Sequence, residues 1–579
     1  MSSRRRRISW RLFVLGLLLA AGGLAVVGRL AYLQIVRHEH YIAEAEEEHT
    51  ARQVLQPSRG AILDRNGYPL ATTVDAFDIL IDRRVWQHDA SVDDWAEQLA
   101  PLVERDPQDL LASVKAEPDD EERYYLVAAA IDYETGNRIR DLTLPGVSAV
   151  NTSTRFYPEG DLASSVLGFI GRDQQGLAGL EASLQDQLAG SPGDLLYERD
   201  TFGNPIPFGS HKGDPPSPGA DVRLTIDRYI QRLVEQELDA RIEAHGASGG
   251  AIIVMDPRTG EILAMASRPS FRLTQLDLSS DADVSLFRNR AVTDVYEPGS
   301  VMKVVTVSAA IDLGLVSPDT TYYDSGYAEV PGAEIYNWDF SVNGIQTVTQ
   351  LLQKSLNTGA VWLSGLIGAD RFYDYVRGFG FGEPTGIGLG GEASGLVRTN
   401  QDSGWYPVDL ATNSFGQGVA ATPLQVITAV AAIANGGRLM RPYIVQEVAG
   451  PDGRHVYEPT VVRQVVSEAT AATVSDLMVA VVEGVPNHLA RIPGYNVAGK
   501  TGTTIVSIPG GYALDATLAS FVGFAPAEDP RIIMLVRIDE PQDDPLGGVV
   551  AAPIFADLAP QILSYLNVQP NDELLAHGP

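Results

Sequence analysis

No cysteine occurs in the 579 residues, which excludes disulfides, thiolate metal sites and a cysteine nucleophile. Lysine is nearly as scarce. Only Lys115, Lys212, Lys303, Lys354 and Lys500 are lysine among 43 basic residues, the others being arginine. Excess positive charge is also missing: the formal net charge of −31 argues against a nucleic-acid partner, because phosphate binding needs a basic surface. The nine histidines lie away in sequence from every motif described below, which disfavours a Ser-His-Asp triad and a histidine metal site. "HEHYI" at 38–42 fails the H-E-x-x-H zinc pattern at its last position. Past residue 36 no second long apolar run follows, and no internal repeat is visible.

What is present begins with an arginine cluster, Arg4 to Arg7 and Arg11, followed by "LFVLGLLLAAGGLAVVG" and, after Arg29, "LAYLQIV". That length spans a bilayer with some tilt, and the arginines place the N-terminus in the cytoplasm. The small residues of "LAAGGLA" would also suit a signal-peptide cleavage site, but the apolar run continues beyond them and favours an uncleaved anchor. The expected layout is a cytoplasmic tail (1–11), a transmembrane anchor (12–36) and a catalytic portion outside the cytoplasm.

"HYIAEAEEEHTARQ" then reads as a polar helix leading away from the membrane. Asp64-Arg65-Asn66-Gly67 reads as a turn between short strands. Gly/Pro-rich stretches at 189–194 and 211–222 mark loops and a boundary. "LTIDRYIQRLVEQELDARIEAHG" carries helical spacing, and "GGAIIVMDPRTGEILAMASRPS" reads as a hairpin. Helical patterns fill much of 300–440, and strand character returns around "GYNVAGKTGTT" and "TLASFVGFAPAEDPRIIMLVRIDEP". Strand, helical middle and strand describe an α/β unit of roughly 330 residues.

Three short motifs carry chemistry. In "YEPGSVMKVVTVSAAIDLG" (296–314) a helix apolar on nearly every side holds Lys303 three residues after Ser300. A chain that writes arginine for generic charge keeps here a lysine, whose pKa burial can lower. Residues i and i+3 share a helix face, so the amine can take the serine's proton. Read alone, the pair is equally a helix cap followed by a snorkelling lysine. The second motif is Ser355-Leu356-Asn357, by itself an ordinary helix surface or cap. The third is Lys500-Thr501-Gly502-Thr503. "GYNVAGKT" (494–501) fits the phosphate-loop pattern, but a proline rather than a buried strand precedes it and β-branched residues follow. The better reading is a strand whose Lys500, Thr501 and Thr503 point polar groups into a cleft, with Gly502 letting a substrate backbone approach. "GIGLGG" (386–391) lacks the strand–turn–helix frame of a dinucleotide site.

In this order the motifs resemble those of the penicillin-interacting serine acyltransferases. "SRGAILDRNG" (58–67), "RFYPEGDLASSVLGFIG" (155–171), "FGEPTGIGLGGEASG" (381–395), "SFGQGVAATPLQ" (414–425) and "ASFVGFAPAEDPRI" (519–532) resemble class B penicillin-binding proteins, and "EPGS" resembles the division type. Leu356 departs from the serine common in the second motif. The resemblance implies an α/β transpeptidase domain of the penicillin-binding protein and serine β-lactamase type (223–567), an antiparallel sheet with a helical subdomain. A mixed α+β pedestal (45–222) and the anchor would precede it, and a tail (568–579) would follow.

The implied activity is D,D-transpeptidation of peptidoglycan stem peptides ending in D-Ala-D-Ala, blocked by β-lactams, with no cofactor and no metal. Ser300 would be the nucleophile and Lys303 its base. Ser355 and Lys500 would relay a proton to the departing amine, and Asn357 would orient Lys303. Backbone N–H groups of Ser300 and Thr503 would form the oxyanion hole, with Thr501 and Thr503 holding the terminal carboxylate. The implied partners are a glycosyltransferase of the shape, elongation, division and sporulation (SEDS) family and other divisome membrane proteins. Contact would run through the anchor and a membrane-proximal turn holding Arg59, Asp64 and Arg65. A β-lactamase or penicillin sensor of the same fold, or a non-catalytic assembly scaffold, are the alternatives.

Overall fold

The computed structural model describes residues 2–41, 50–116, 123–198, 206, 211–276, 283–508 and 511–576. Two compact units divide it. The first joins residues 1–58 to 190–218. Its helix Ser2–Ala31 runs on through a π turn, Tyr32–Val36, and the span Trp10–Val36 has mean hydropathy 2.1 with none of its surface buried. Such an apolar, uncovered helix has the length of a membrane span. The polar helix expected over 40–53 is not what forms at its end: Thr50–Leu55 is a strand paired antiparallel with Gly193–Glu198. Residues 42–49 lie outside the described part. The sequence there, Thr-Ala-Arg-Gln-Val-Leu, shows no strand alternation, and a partner from distant sequence decided the state.

The second unit holds residues 59–189 and 219–579. Strand Pro69–Asp82 pairs with Tyr124–Asp132 and Val147–Phe156. The turn at 64–67 does connect two strands, Ile62–Leu63 and Pro69–Asp82. Asp64, fully buried, shapes that turn by accepting from the amides of Asn66 and Tyr68 at 2.8 Å. Arg59 is buried as well. It and Arg155 each lie 2.6 Å from a different oxygen of Glu181, whose side chain is wholly enclosed. Arg59 and Asp64 therefore fold this region, and a partner could not reach them as the sequence reading supposed.

Helix α1 (Arg228–His245) precedes strands β1 (Gly249–Met255) and β2 (Ile262–Arg268). Asp227 caps α1 through the amides of Tyr229 and Ile230. Next come α2 (Met302–Asp312), α3 (Val348–Lys354) and α4 (Asn357–Ile367). Strands β3 (Ala498–Ile508), β4 (Gly511–Ala525) and β5 (Ile532–Asp539) and helix α5 (Ala552–Tyr565) complete the frame. The strands form one antiparallel sheet in the order β2-β1-β5-β4-β3.

Every residue of β1 and β5 is buried because both faces are covered. Ile252, Val254, Met534 and Val536 pack with α1 and α5, while Ile253, Met255 and Leu535 pack on the other side with the buried helix Pro423–Ala434. That double covering explains the unbroken apolar runs. It also accounts for the second apolar helical stretch, Gly547–Tyr565, which is half buried and seats Phe555, Leu558 and Ile562 against the sheet.

Candidate active site

Gly299–Val301 forms a single 3-10 turn that leads into α2. Gly299 has φ +57°, and a Cβ there would meet Thr504 Cγ2 at 2.5 Å, so only glycine lets this turn lie on β3. Gly502 serves the same contact from the strand side. Its Cβ would fall 2.5 Å from Ser520 Oγ and 2.9 Å from the Pro298 carbonyl. The space at Gly502 is thus filled by the turn that carries Ser300, which replaces the sequence-based idea of substrate approach at that atom. Glu297 ties the turn down from its other side by accepting from the amide of Gly418 at 2.9 Å.

α2 delivers Lys303 into the interior, with no exposed surface. Helix α3 ends at Ser355, which takes left-handed geometry (φ +57°). Leu356 then turns into the core at 1% exposure, and α4 starts at Asn357. The two polar side chains of the second motif flank a buried leucine, so its middle position needs only an apolar group. Lys500 sits inside β3, a strand and not a phosphate loop. β3 forms the edge of the sheet, which leaves one row of its backbone groups open for pairing.

These elements bring Ser300, Lys303, Ser355, Asn357 and Lys500 together. Lys303 Nζ lies 2.6 Å from the Ser355 carbonyl, 2.8 Å from Asn357 Oδ1, 3.1 Å from Ser300 Oγ and 3.2 Å from Ser355 Oγ. Lys500 Nζ donates to Ser355 Oγ at 3.0 Å. A neutral amine has two hydrogens and one lone pair. The carbonyl and the amide oxygen are acceptors only, so they take both hydrogens. The lone pair is left to the two hydroxyls, and Ser300 O–H can donate to it. Burial, and then the charge of Lys500, hold the Lys303 pKa well below 10.5, and burial lowers Lys500 to about 7. Both are desolvation effects on a cation.

Thr501 and Thr503 share one face of β3 by alternation. Thr503 is exposed, and its Oγ accepts from the amide of Gly547 at 3.0 Å. Lys500 Nζ reaches the Thr501 carbonyl at 3.3 Å and its hydroxyl at 3.5 Å.

The model of the penicillin binding protein transpeptidase domain matches residues 250–559, and that of the penicillin-binding protein dimerisation domain matches 54–224. Stage V sporulation protein D of Bacillus subtilis is 36% identical over 548 residues, covering 94% of this chain and 83% of that protein. Peptidoglycan D,D-transpeptidase FtsI of Escherichia coli K12 is 33% identical over 570 residues, covering 97% and 93%. Among solved structures, penicillin binding protein 3 of Mycobacterium tuberculosis complexed with aztreonam superposes with a TM-score of 0.69 at 31% identity, covering 90% of this chain and 98% of that one. This chain belongs to the class B penicillin-binding proteins.

Two residues of this class B protein's site escaped the sequence reading. Asn337, 1% exposed, accepts through Oδ1 from the amides of Asn357 and Thr358 at 3.0 and 3.3 Å. It caps α4 from 20 residues away. The buried Asp324 carboxylate holds Asn337 Nδ2 at 3.0 Å and accepts also from Gly326, Asn343 and Thr358. Burial pushes this carboxyl's pKa up, and those hydrogen bonds more than reverse it. Asn357 Nδ2 in turn donates to the Tyr336 carbonyl at 2.9 Å.

Asn337→Ala is therefore expected to let Asn357 drift and to slow penicillin acylation on the order of 10²-fold, the scale of a small misplacement at a catalytic group. Stopped-flow acylation alongside thermal melting checks it, and an unchanged rate in a folded variant rejects the link. His488 corrects another expectation. It precedes the third motif by a short stretch and lies near enough to Lys500 to feel its charge. Burial, then Lys500 and Arg491, push it down to about 4, so it is neutral at pH 7.

Proposed function

We propose that this class B penicillin-binding protein is a serine-type D,D-transpeptidase. It cross-links peptidoglycan stem peptides through a Ser300 acyl-enzyme during septal wall synthesis and is acylated by β-lactams at the same residue. The observation that carries the reading is the enclosed Lys303 amine, with two acceptor-only partners and two hydroxyls within 3.2 Å. The relative named peptidoglycan D,D-transpeptidase and the neighbour complexed with aztreonam point the same way.

In this reading Ser300 Oγ attacks the carbonyl between the two terminal D-alanines while its proton passes to Lys303 Nζ. Backbone N–H groups of Ser300 and Thr503 take the oxyanion. The C–N bond then breaks. D-Alanine leaves with a proton relayed from Lys303 through Ser355, where Lys500 stabilises the hydroxyl. The amine of a second stem attacks the ester, passes its proton back to this relay and regenerates Ser300. Thr501 and Thr503, with Lys500 behind them, hold the terminal carboxylate, and the second hydrogen of Asn357 Nδ2 serves the substrate amide. Fluorescent penicillin should label the protein and stay bound for many minutes. Turnover of a chromogenic cephalosporin within seconds would replace this reading with that of a β-lactamase.

The apolar N-terminal helix fits a single-pass anchor. The arginine cluster supports an orientation with residues 1–11 in the cytoplasm and the catalytic unit outside. The partner in this reading is a SEDS-family glycosyltransferase, supported by the absence, among the described residues, of a second catalytic constellation able to polymerise glycan, with other divisome membrane proteins around it. Deleting residues 1–40 should abolish stimulation of that polymerase in a reconstituted assay. Equal stimulation by both forms would reduce the anchor to a tether.

A further inference from the structure

The chain between α2 and α3 exposes aromatic rings beside Asn357. Tyr336 is 44% exposed, Trp338 59% and Phe340 74%. Rings this open are uncommon as a group on a protein without a partner for them. The Tyr336 and Phe340 rings lie 5.7 Å apart, and Tyr327 stands 5.9 Å from Tyr336 on the facing strand. The group adjoins the site directly, since the Tyr336 carbonyl accepts from Asn357.

Disorder does not explain the exposure. Asn337 Nδ2 holds the Ser341 carbonyl at 3.0 Å. The Ser341 amide donates to Asp339, and Asn343 donates to the Ser341 hydroxyl. Phe340 itself has φ +56°, a conformation strained for a bulky residue and one that marks functional segments when the surroundings enforce it. The fold fixes this loop with buried polar anchors and uses it to hold apolar rings in water.

Charge indicates the occupant. Between Leu313 and Gln353 the sequence has five acidic residues and no lysine or arginine; Glu329, Glu334 and Asp339 are exposed, against one adjoining cation, Lys354, which donates to Asn343 Oδ1 at 3.1 Å. An anionic stem peptide or an anionic lipid surface is repelled by such a face. A neutral sugar chain is not. The C–H faces of pyranose rings are apolar and fit aromatic planes, and their hydroxyl edges donate to carboxylates such as Glu334, which already accepts from Tyr336 O–H at 2.5 Å.

We propose that Tyr336, Trp338 and Phe340 form a saccharide platform that holds the glycan strand while its stem peptide enters the cleft. The proposal rests on the transpeptidase reading for the identity of the polymer. The probe is peptidoglycan glycan strands stripped of stem peptides by an amidase and then capped as methylamides at the lactyl carboxylates this exposes, so that they are neutral, titrated calorimetrically against the detergent-solubilised full chain. Saturable binding is expected. A double variant, Trp338→Ala with Phe340→Gly, should weaken it at least tenfold with thermal melting preserved, since glycine suits the left-handed φ.

Equal affinity in the variant overturns the platform, and so does dependence of free stem pentapeptide, rather than stripped strands, on these rings. If the double variant does not fold, Trp338→Ala alone carries the same comparison. Penicillin acylation of the unaltered chain tests the other reading separately. Strand binding without acylation keeps the platform and removes the transpeptidase, and acylation without strand binding does the reverse.

Discussion

Replacing Lys303 with arginine will slow acylation by penicillin about 10²- to 10⁴-fold, the range lost when a positioned general base is removed. Arginine keeps the charge and cannot deprotonate, so it separates basicity from electrostatics at a position with no exposed surface. Its larger head group strains an enclosed site. Lys303→Met, close in volume and uncharged, is the companion variant and should be slow as well. The pH profile carries the same claim. A lysine of ordinary pKa would make the rate climb about tenfold per pH unit from neutrality toward 10. Here burial and Lys500 hold the Lys303 pKa well below that value, so the rate should reach its plateau at a pH well below 10. On the acid side of that plateau it should fall, as Lys303 gains its proton. A rate rising steadily to pH 10, or near-normal acylation of folded Lys303→Arg, would assign the base elsewhere.

Ser300→Ala carries the second large effect. Intact-mass analysis after penicillin treatment should show a single adduct on the wild-type chain and none on the variant. Ser355 makes this more than a formality. Its hydroxyl lies 3.2 Å from Lys303 Nζ, against 3.1 Å for Ser300, so either could in principle lose a proton to the amine. What separates them is setting. Ser300 opens the helix turn that lies against the edge strand β3, where free N–H groups favour an oxyanion. Ser355 follows the C-terminus of α3 and is held by Lys500 at 3.0 Å. An adduct surviving Ser300→Ala would reverse that distinction.

Much of this site was legible in the sequence. Lys500 was placed by the order and spacing of the three motifs, and Lys303 stood out as one of only five lysines, kept inside an apolar helix. A charge kept in such a place needs a chemical reason. The hairpin of β1 and β2 and the helix α1 were equally readable from local periodicity. What could not be read depended on pairing across long separations. Asp324 and Asn337 look like turn residues, and only the fold turns them into the anchor and cap of α4. Their one visible trace was a cluster of Asn and Asp inside an aromatic-rich stretch that no core requires. The strand at 50–55 was hidden for the same reason, since its partner lies at 193–198. Gly502 was rightly seen as a place of close approach, but what approaches is Pro298 of the same chain.

The central claim is that Ser300 transfers a stem-peptide acyl group to an amine. The direct measurement is muropeptide analysis of glycan polymerised from lipid-linked precursor in the presence of the full-length protein and a polymerase. Cross-linked dimers with release of one D-alanine per link are expected from the wild-type chain, and none from Ser300→Ala. Dimers formed equally by both, or release of D-alanine into hydrolysed monomers alone, would contradict the account.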